Sequence, residues 1–185
     1  MHILGISGSL RRGSHNTELL RAAAALLPPG VELEWFDGLR GVPPYDMDAD
    51  VEPAPAAVSE LRDAIAAADA VLICTPEYNA SIPGQLKNAL DWASRPFPDN
   101  ALRGKPVAVV GASTTMFGAV WAQAELRKVL GAIGARVIDG DLPVAAAHLA
   151  FDDEGNLVEA DHESALTEIV ETLVEEARER VRVPA

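Results

Sequence analysis

Between Gly5 and Thr17 the sequence reads GISGSLRRGSHNT. The hydroxyls of Ser7, Ser9, Ser14 and Thr17, the amide of Asn16 and the guanidinium of Arg11 all donate hydrogen bonds, and the stretch holds no acid. Gly8 and Gly13 let the backbone turn tightly. The stretch joins the apolar Ile3-Leu4 to the helical pattern ELLRAAAALL, so it reads as a strand-to-helix connection. The first N–H groups of a helix are unpaired and carry partial positive charge, which suits a phosphate. Arg11 adds a charge-assisted bond of about 1.5–3 kcal/mol. Other phosphate loops fit worse. There is no GxxxxGK[ST], GISGSLRRG does not match GxGxxG, and a Cys-x5-Arg loop counted from Cys74 meets Ala80 where the arginine should stand. A polar loop that only caps a helix would carry the same residues, so the loop alone leaves both readings open.

A second stretch, CTPEYNASIPGQLKNALDWASR, begins at Cys74. Pro76 ends a strand by removing a backbone donor. Glu77, Tyr78 and Asn79 then face the crevice, and Pro83-Gly84 starts the next helix. An ordinary turn with a packing tyrosine accounts for these residues equally well. His2, His15, His148 and His162 are scattered without metal spacing, so no metal site is expected. Asp46, Asp48 and Asp50 lack the later glycine and glutamate of a calcium loop. Cys74 lies in the run AVLIC and reads as a buried, inert thiol.

These loops need a frame. HILGIS, AVLICT and PVAVVGAS are short apolar runs of the kind buried on both faces of a sheet, VELEWFD alternates like an edge strand, and ARVIDGDLPV is a weaker fifth run. Helical patterns separate them: NTELLRAAAALL, AAVSELRDAIAAAD, PGQLKNALDWAS, GAVWAQAELRKVLGAIGA and DHESALTEIVETLVEEARERV. Strands alternating with helices predict a doubly wound parallel sheet covered on both faces. In such sheets ligands gather at the carboxyl ends of the strands, where strand order reverses. The segment DGLRGVPPYDMDADVEPAP reads as a long surface loop that could wall a pocket.

The 185 residues fit one domain, 1–185, with 49% hydrophobic residues to build its core. The net charge of −13 argues against nucleic acid or an anionic membrane as partner. The acids crowd the last third while the first loop carries Arg11 and Arg12, a pattern that favours a small anionic ligand. There is no signal-peptide pattern and no apolar run of roughly 20 residues, so a cytoplasmic protein is expected.

Taken in order, GISGSLRRGSHN, TPEYNASIPGQLKNALDW and GKPVAVVGAS resemble the NADPH-dependent FMN reductase family, which includes chromate, quinone and azo-dye reductases. The resemblance covers nearly the whole chain. It implies a flavodoxin-like, doubly wound, five-stranded parallel sheet of order 2-1-3-4-5, with FMN at the switch between strands 1 and 3. It implies that Ser9, Arg11, Ser14, Asn16 and Thr17 hold the FMN phosphate. Pro76, Glu77, Tyr78 and Asn79 would line the isoalloxazine and ribityl chain, with Ser113 at the other edge of the flavin. The implied activity is hydride transfer from NAD(P)H through FMN to a quinone, azo, chromate or flavin acceptor. No side chain is singled out as catalytic, and Tyr78 and Asn79 are candidates for orienting nicotinamide or acceptor. An FMN-binding electron carrier of flavodoxin type is the alternative. Thr115 stands where the family usually has a glycine, which bears on the choice of electron donor. A homodimer or homotetramer is implied as well, with the PGQLKNALDWASR helix and Trp121 as a candidate contact surface.

Overall fold

The structure is a computed structural model and describes residues 1–182. β1 (His2–Ser7), β3 (Ala70–Thr75) and β4 (Pro106–Ala112) form the centre of a parallel sheet, and every residue of β3 and β4 is buried. This is why their sequences are continuous apolar runs rather than alternating ones. β2 (Glu32–Trp35) lies on the edge against β1 with three of its four residues exposed. The strand order is β2-β1-β3-β4-β5, the flavodoxin-like order. After β2 the chain returns past β1 to form β3, so the order reverses between β1 and β3.

The fifth position is split. β5 (Arg136–Val137) pairs with the start of β4 and β6 (Pro143–Val144) with its end. Between them the chain bulges through Gly140 and Asp141. Arg127 fills the gap, donating to the carbonyls of Val109 and Gly140 and pairing with Asp141. Gly140 and Asp141 interrupt the apolar run, which explains why it was the weakest strand signal.

Successive strand residues point to opposite faces, and the core divides accordingly. Ile3, Leu72, Cys74 and Val110 pack under α1 (His15–Ala25) and α5 (Ala160–Arg182). Leu4, Ile6, Val71, Ile73 and Val109 pack under α2 (Ala56–Ala67), α3 (Gly84–Ala93) and α4 (Val120–Ile133). The acid-rich last helix turns Leu166, Ile169, Val170 and Leu173 inward. Burial pushes the Cys74 thiol well above its ordinary pKa, consistent with an inert core residue.

The α3 face expected to be available for a subunit contact is occupied. Leu86, Ala89, Leu90 and Ala93 are core residues, and Trp92 is fully buried with its indole N–H donating to Pro43 O. The long loop before α2 supplies that cover. It folds into two 3-10 turns, is fastened by Gln85 to Leu39 O and Val42 O, and places Tyr45 edge-on against Trp92. Arg40 ties it to the first loop by donating to Leu10 O.

Lys105 leads into β4 with its side chain buried. Its ammonium caps the end of α2, donating to the carbonyls of Ala66 and Ala68. Burial, reinforced by the charge of Arg180 and opposed by Asp69, lowers its pKa from 10.5 to about 8. The unfolded chain holds that proton up to about pH 10.5, so between the two values it binds more protons than the native state and stability rises with pH. Urea unfolding at about pH 7 and about pH 10 should show the parent gaining stability relative to Lys105→Met as pH rises. The opposite contribution of Cys74 is common to both proteins and cancels. An identical pH response in the two would remove Lys105 as the source.

Candidate functional site

Three loops leave the carboxyl ends of β1, β3 and β4 and enclose a solvent-open groove of about 190 Å³. Two larger surface hollows, beside Phe151–Asn156 and between α3 and α4, are lined by other residues. Position rather than volume selects the smaller groove, because it lies at the strand-order reversal and at the start of α1.

The first loop is braced from within. Gly8 N donates to Cys74 O, and a Cβ on Gly8 would lie 2.9 Å from Leu86 and 3.4 Å from Pro76, so glycine lets the first and second loops meet. Ser7 Oγ accepts from Ser9 N and from Thr17 Oγ1. Ser14 is the N-cap of α1, its Oγ accepting from Asn16 N. Arg11 is exposed and donates to Gly13 O. Ser9, Arg11 and Ser14 line the groove at the α1 N-terminus, which brings two hydroxyls, a guanidinium and the positive end of a helix to one place.

Asn16 is buried, and its amide closes a reciprocal pair with the backbone of Ala112. Nδ2 donates to Ala112 O and Oδ1 accepts from Ala112 N, both at 2.9 Å. The residue borders the groove, yet its side chain is spent on joining the start of α1 to the end of β4. Thr17 is turned toward Ser7 and does not line the groove.

Pro76, Glu77 and Tyr78 line the opposite side. Tyr78 and Ser81 exchange backbone hydrogen bonds across a tight turn whose central residues, Asn79 and Ala80, have φ of 54° and 58°. Asn79 stands at the exposed tip, outside the groove lining. Glu77 reads from sequence as a solvated loop carboxylate, but its Oε2 accepts from Trp121 N at 3.0 Å and Ala122 N at 3.1 Å, in the first turn of α4. This places its negative charge on a positive helix end.

The third loop contributes Ala112, Ser113, Thr114 and Thr115. Ser113 Oγ and Thr115 Oγ1 lie 3.0 Å apart, and Ser113 N donates to Val144 O. Gly118, at φ +56°, passes so close to Pro143 that a Cβ would overlap its backbone. His15, given no role from sequence, also lines the groove and bonds Glu18 through Nδ1 at 2.8 Å. Its place directly after the Ser14 cap was the available signal.

A parallel sheet of this order, with an anion-suited groove at its switch point, is the architecture of flavodoxin-like mononucleotide-binding proteins. Residues 1–149 match the family model described as NADPH-dependent FMN reductase. A Pseudomonas aeruginosa NAD(P)H-dependent FMN reductase is 45% identical over 158 residues, covering 85% of this chain and 84% of that protein. A 2-hydroxy-1,4-benzoquinone reductase from Burkholderia sp is 36% identical over 97% of this chain and 98% of its own length. The structure of a flavoenzyme NAD(P)H:(acceptor) oxidoreductase from Paracoccus denitrificans superposes with a TM-score of 0.83 at 33% identity, covering 96% of this chain and 97% of that one. The chain belongs to the NADPH-dependent FMN reductase family.

The Asn16 pair has a consequence without any ligand. Asn16→Ala strands the N–H and C=O of Ala112 in the interior and should lower stability by about 2–4 kcal/mol. Urea unfolding of the flavin-free protein measures this. Unchanged stability would mean that Asn16 serves only a ligand.

Proposed function

We propose that this chain is an FMN-dependent NAD(P)H oxidoreductase that delivers reducing equivalents to quinone-type acceptors. The observation that carries the proposal is the donor set of the groove. Ser9, Arg11, Ser14 and the α1 N-terminus offer hydrogen-bond donors and positive charge to a phosphate, and the nearest acids are already engaged. Glu77 caps α4, and Glu18 pairs with His15. The residues present therefore fit FMN, and the names of the aligned relatives support the same cofactor and electron donor.

When bound, FMN supplies the hydride and electron-transfer chemistry. The chain's own residues hold and orient. Ser9, Arg11 and Ser14 grip the phosphate, with Asn16 and Thr17 keeping that loop in shape through Ala112 and Ser7. Pro76, Glu77, Tyr78 and Ser113 border the space for the ring and ribityl chain. Tyr78, half-exposed at the rim, and Asn79 at the turn tip are placed to orient a nicotinamide or an acceptor. The Ser113–Thr115 hydroxyl pair fills the third loop where a glycine would leave space, which bears on donor preference.

The same reading takes residues 1–185 as one working unit, acting in the cytoplasm on small molecules as a homodimer or homotetramer. None of the described helices is long and apolar enough to cross a membrane. The exposed Phe117–Trp121 pair, with ring centroids 4.7 Å apart, offers an apolar surface for subunit contact.

Arg11→Ala should weaken FMN binding about 10- to 100-fold, the size of one lost charge-assisted bond, and leave riboflavin binding nearly unchanged. Tyr78→Ala should weaken FMN less. Quenching of flavin fluorescence measures both, and equal effects of the two substitutions would contradict the assignment of the phosphate end. Loss of NADPH absorbance on adding a quinone separates the enzyme from a flavodoxin-type carrier, which would bind FMN and leave NADPH intact.

A further inference from the structure

The first turn of α4 lacks a local cap. Its N-cap residue, Ala119, has no polar side chain and sits in the left-handed region at φ 63°. Four N–H groups begin the helix, and all four have acceptors. Val120 N donates to Phe117 O and Gln123 N to Ala119 O. Trp121 N and Ala122 N donate to the Glu77 carboxylate, more than forty positions away in the chain. A side chain of the second loop therefore completes a helix that starts from the third.

Both loops border the groove. Tyr78, the residue after Glu77, is exposed at its rim. Trp121, whose N–H the carboxylate holds, is exposed and packs on Phe117. One carboxylate thus ties the tyrosine of one loop to the aromatic pair of the other. A tight turn with Asn79 and Ala80 at positive φ holds the loop beyond Tyr78, leaving little slack on that side.

We propose that Glu77 is a positioning residue: by capping α4 it fixes the third loop against the second, and so sets how well a planar aromatic acceptor is held beside Tyr78 at the rim of the groove. It acts through α4 and not as a grip on the flavin. The inference rests on the proposed oxidoreductase function for its acceptor, while the clamp itself is a property of the flavin-free chain.

The test compares the parent with Glu77→Ala and Glu77→Gln. Gln keeps an accepting oxygen at the same reach, and Ala removes it. In flavin-free protein, amide exchange at Trp121 and Ala122 should quicken about five- to tenfold in Glu77→Ala, the size of a lost cap, and much less in Glu77→Gln. With FMN bound and benzoquinone as acceptor, KM for the quinone should rise about threefold or more in Glu77→Ala, by a larger factor than the FMN dissociation constant, and Gln should restore it. Unchanged exchange in Glu77→Ala overturns the clamp. So does a Gln variant as impaired as Ala, or a loss of FMN affinity that matches the rise in KM, because either would mark a direct contact by the charge. If the parent neither binds FMN nor oxidises NADPH, the oxidoreductase reading fails by itself and the exchange measurement still decides the clamp.

Discussion

The site depends on the reciprocal hydrogen bonds between the Asn16 side chain and the backbone of Ala112. At the end of β4 the ladder to β3 stops at Gly111, so the buried backbone pair of Ala112 needs a partner from elsewhere. Asn16 supplies both halves of that partner from the first turn of α1. The first and third loops are thereby held at fixed separation before any ligand arrives. Ser7 extends the brace by accepting from Ser9 N and Thr17 Oγ1. A groove built this way presents its donors without ordering them on binding, which lowers the entropic cost of holding a ligand.

The central frame was legible because parallel strands buried on both faces must be apolar throughout, and β1, β3 and β4 are. The edge strand announced itself by alternation. What sequence could not show was the split of the last strand, because Arg127 makes its bonds to Val109 and Gly140 only after α4 has packed on the sheet. The same limit applies to Trp92. Its helical spacing suits an exposed anchor as well as a core residue, and only the cover of Pro43 and Tyr45 decides.

At the groove, residue types pointed to side chains that line it and left their hydrogen-bond partners hidden. Ser9, Arg11 and Ser14 are where the loop composition put them. Asn16 and Thr17 look equally suited to an anion by type, yet their polar atoms serve Ala112 and Ser7. Glu77 looks solvated until α4 is placed against it. His15 offered no metal spacing, and its place beside the Ser14 cap points to the groove only once α1 is set at the sheet edge. A side chain's partner is a tertiary fact, and these three loops meet only because the sheet brings their strands together.

The chemistry asked of the protein is modest. A flavin would bring its own redox reactivity, so the chain need only offer donors and hold its acids away; Ser9, Arg11 and Ser14 line the groove, while Glu77 and Glu18 are hydrogen-bonded to α4 and to His15. The most direct measurement is calorimetric titration of FMN into flavin-free protein, paired with its melting temperature. If the groove holds FMN, one flavin binds per chain with heat released and the melting temperature rises, and riboflavin binds more weakly for want of the phosphate. A titration without heat, together with an unmoved melting temperature, would contradict the assignment of the groove.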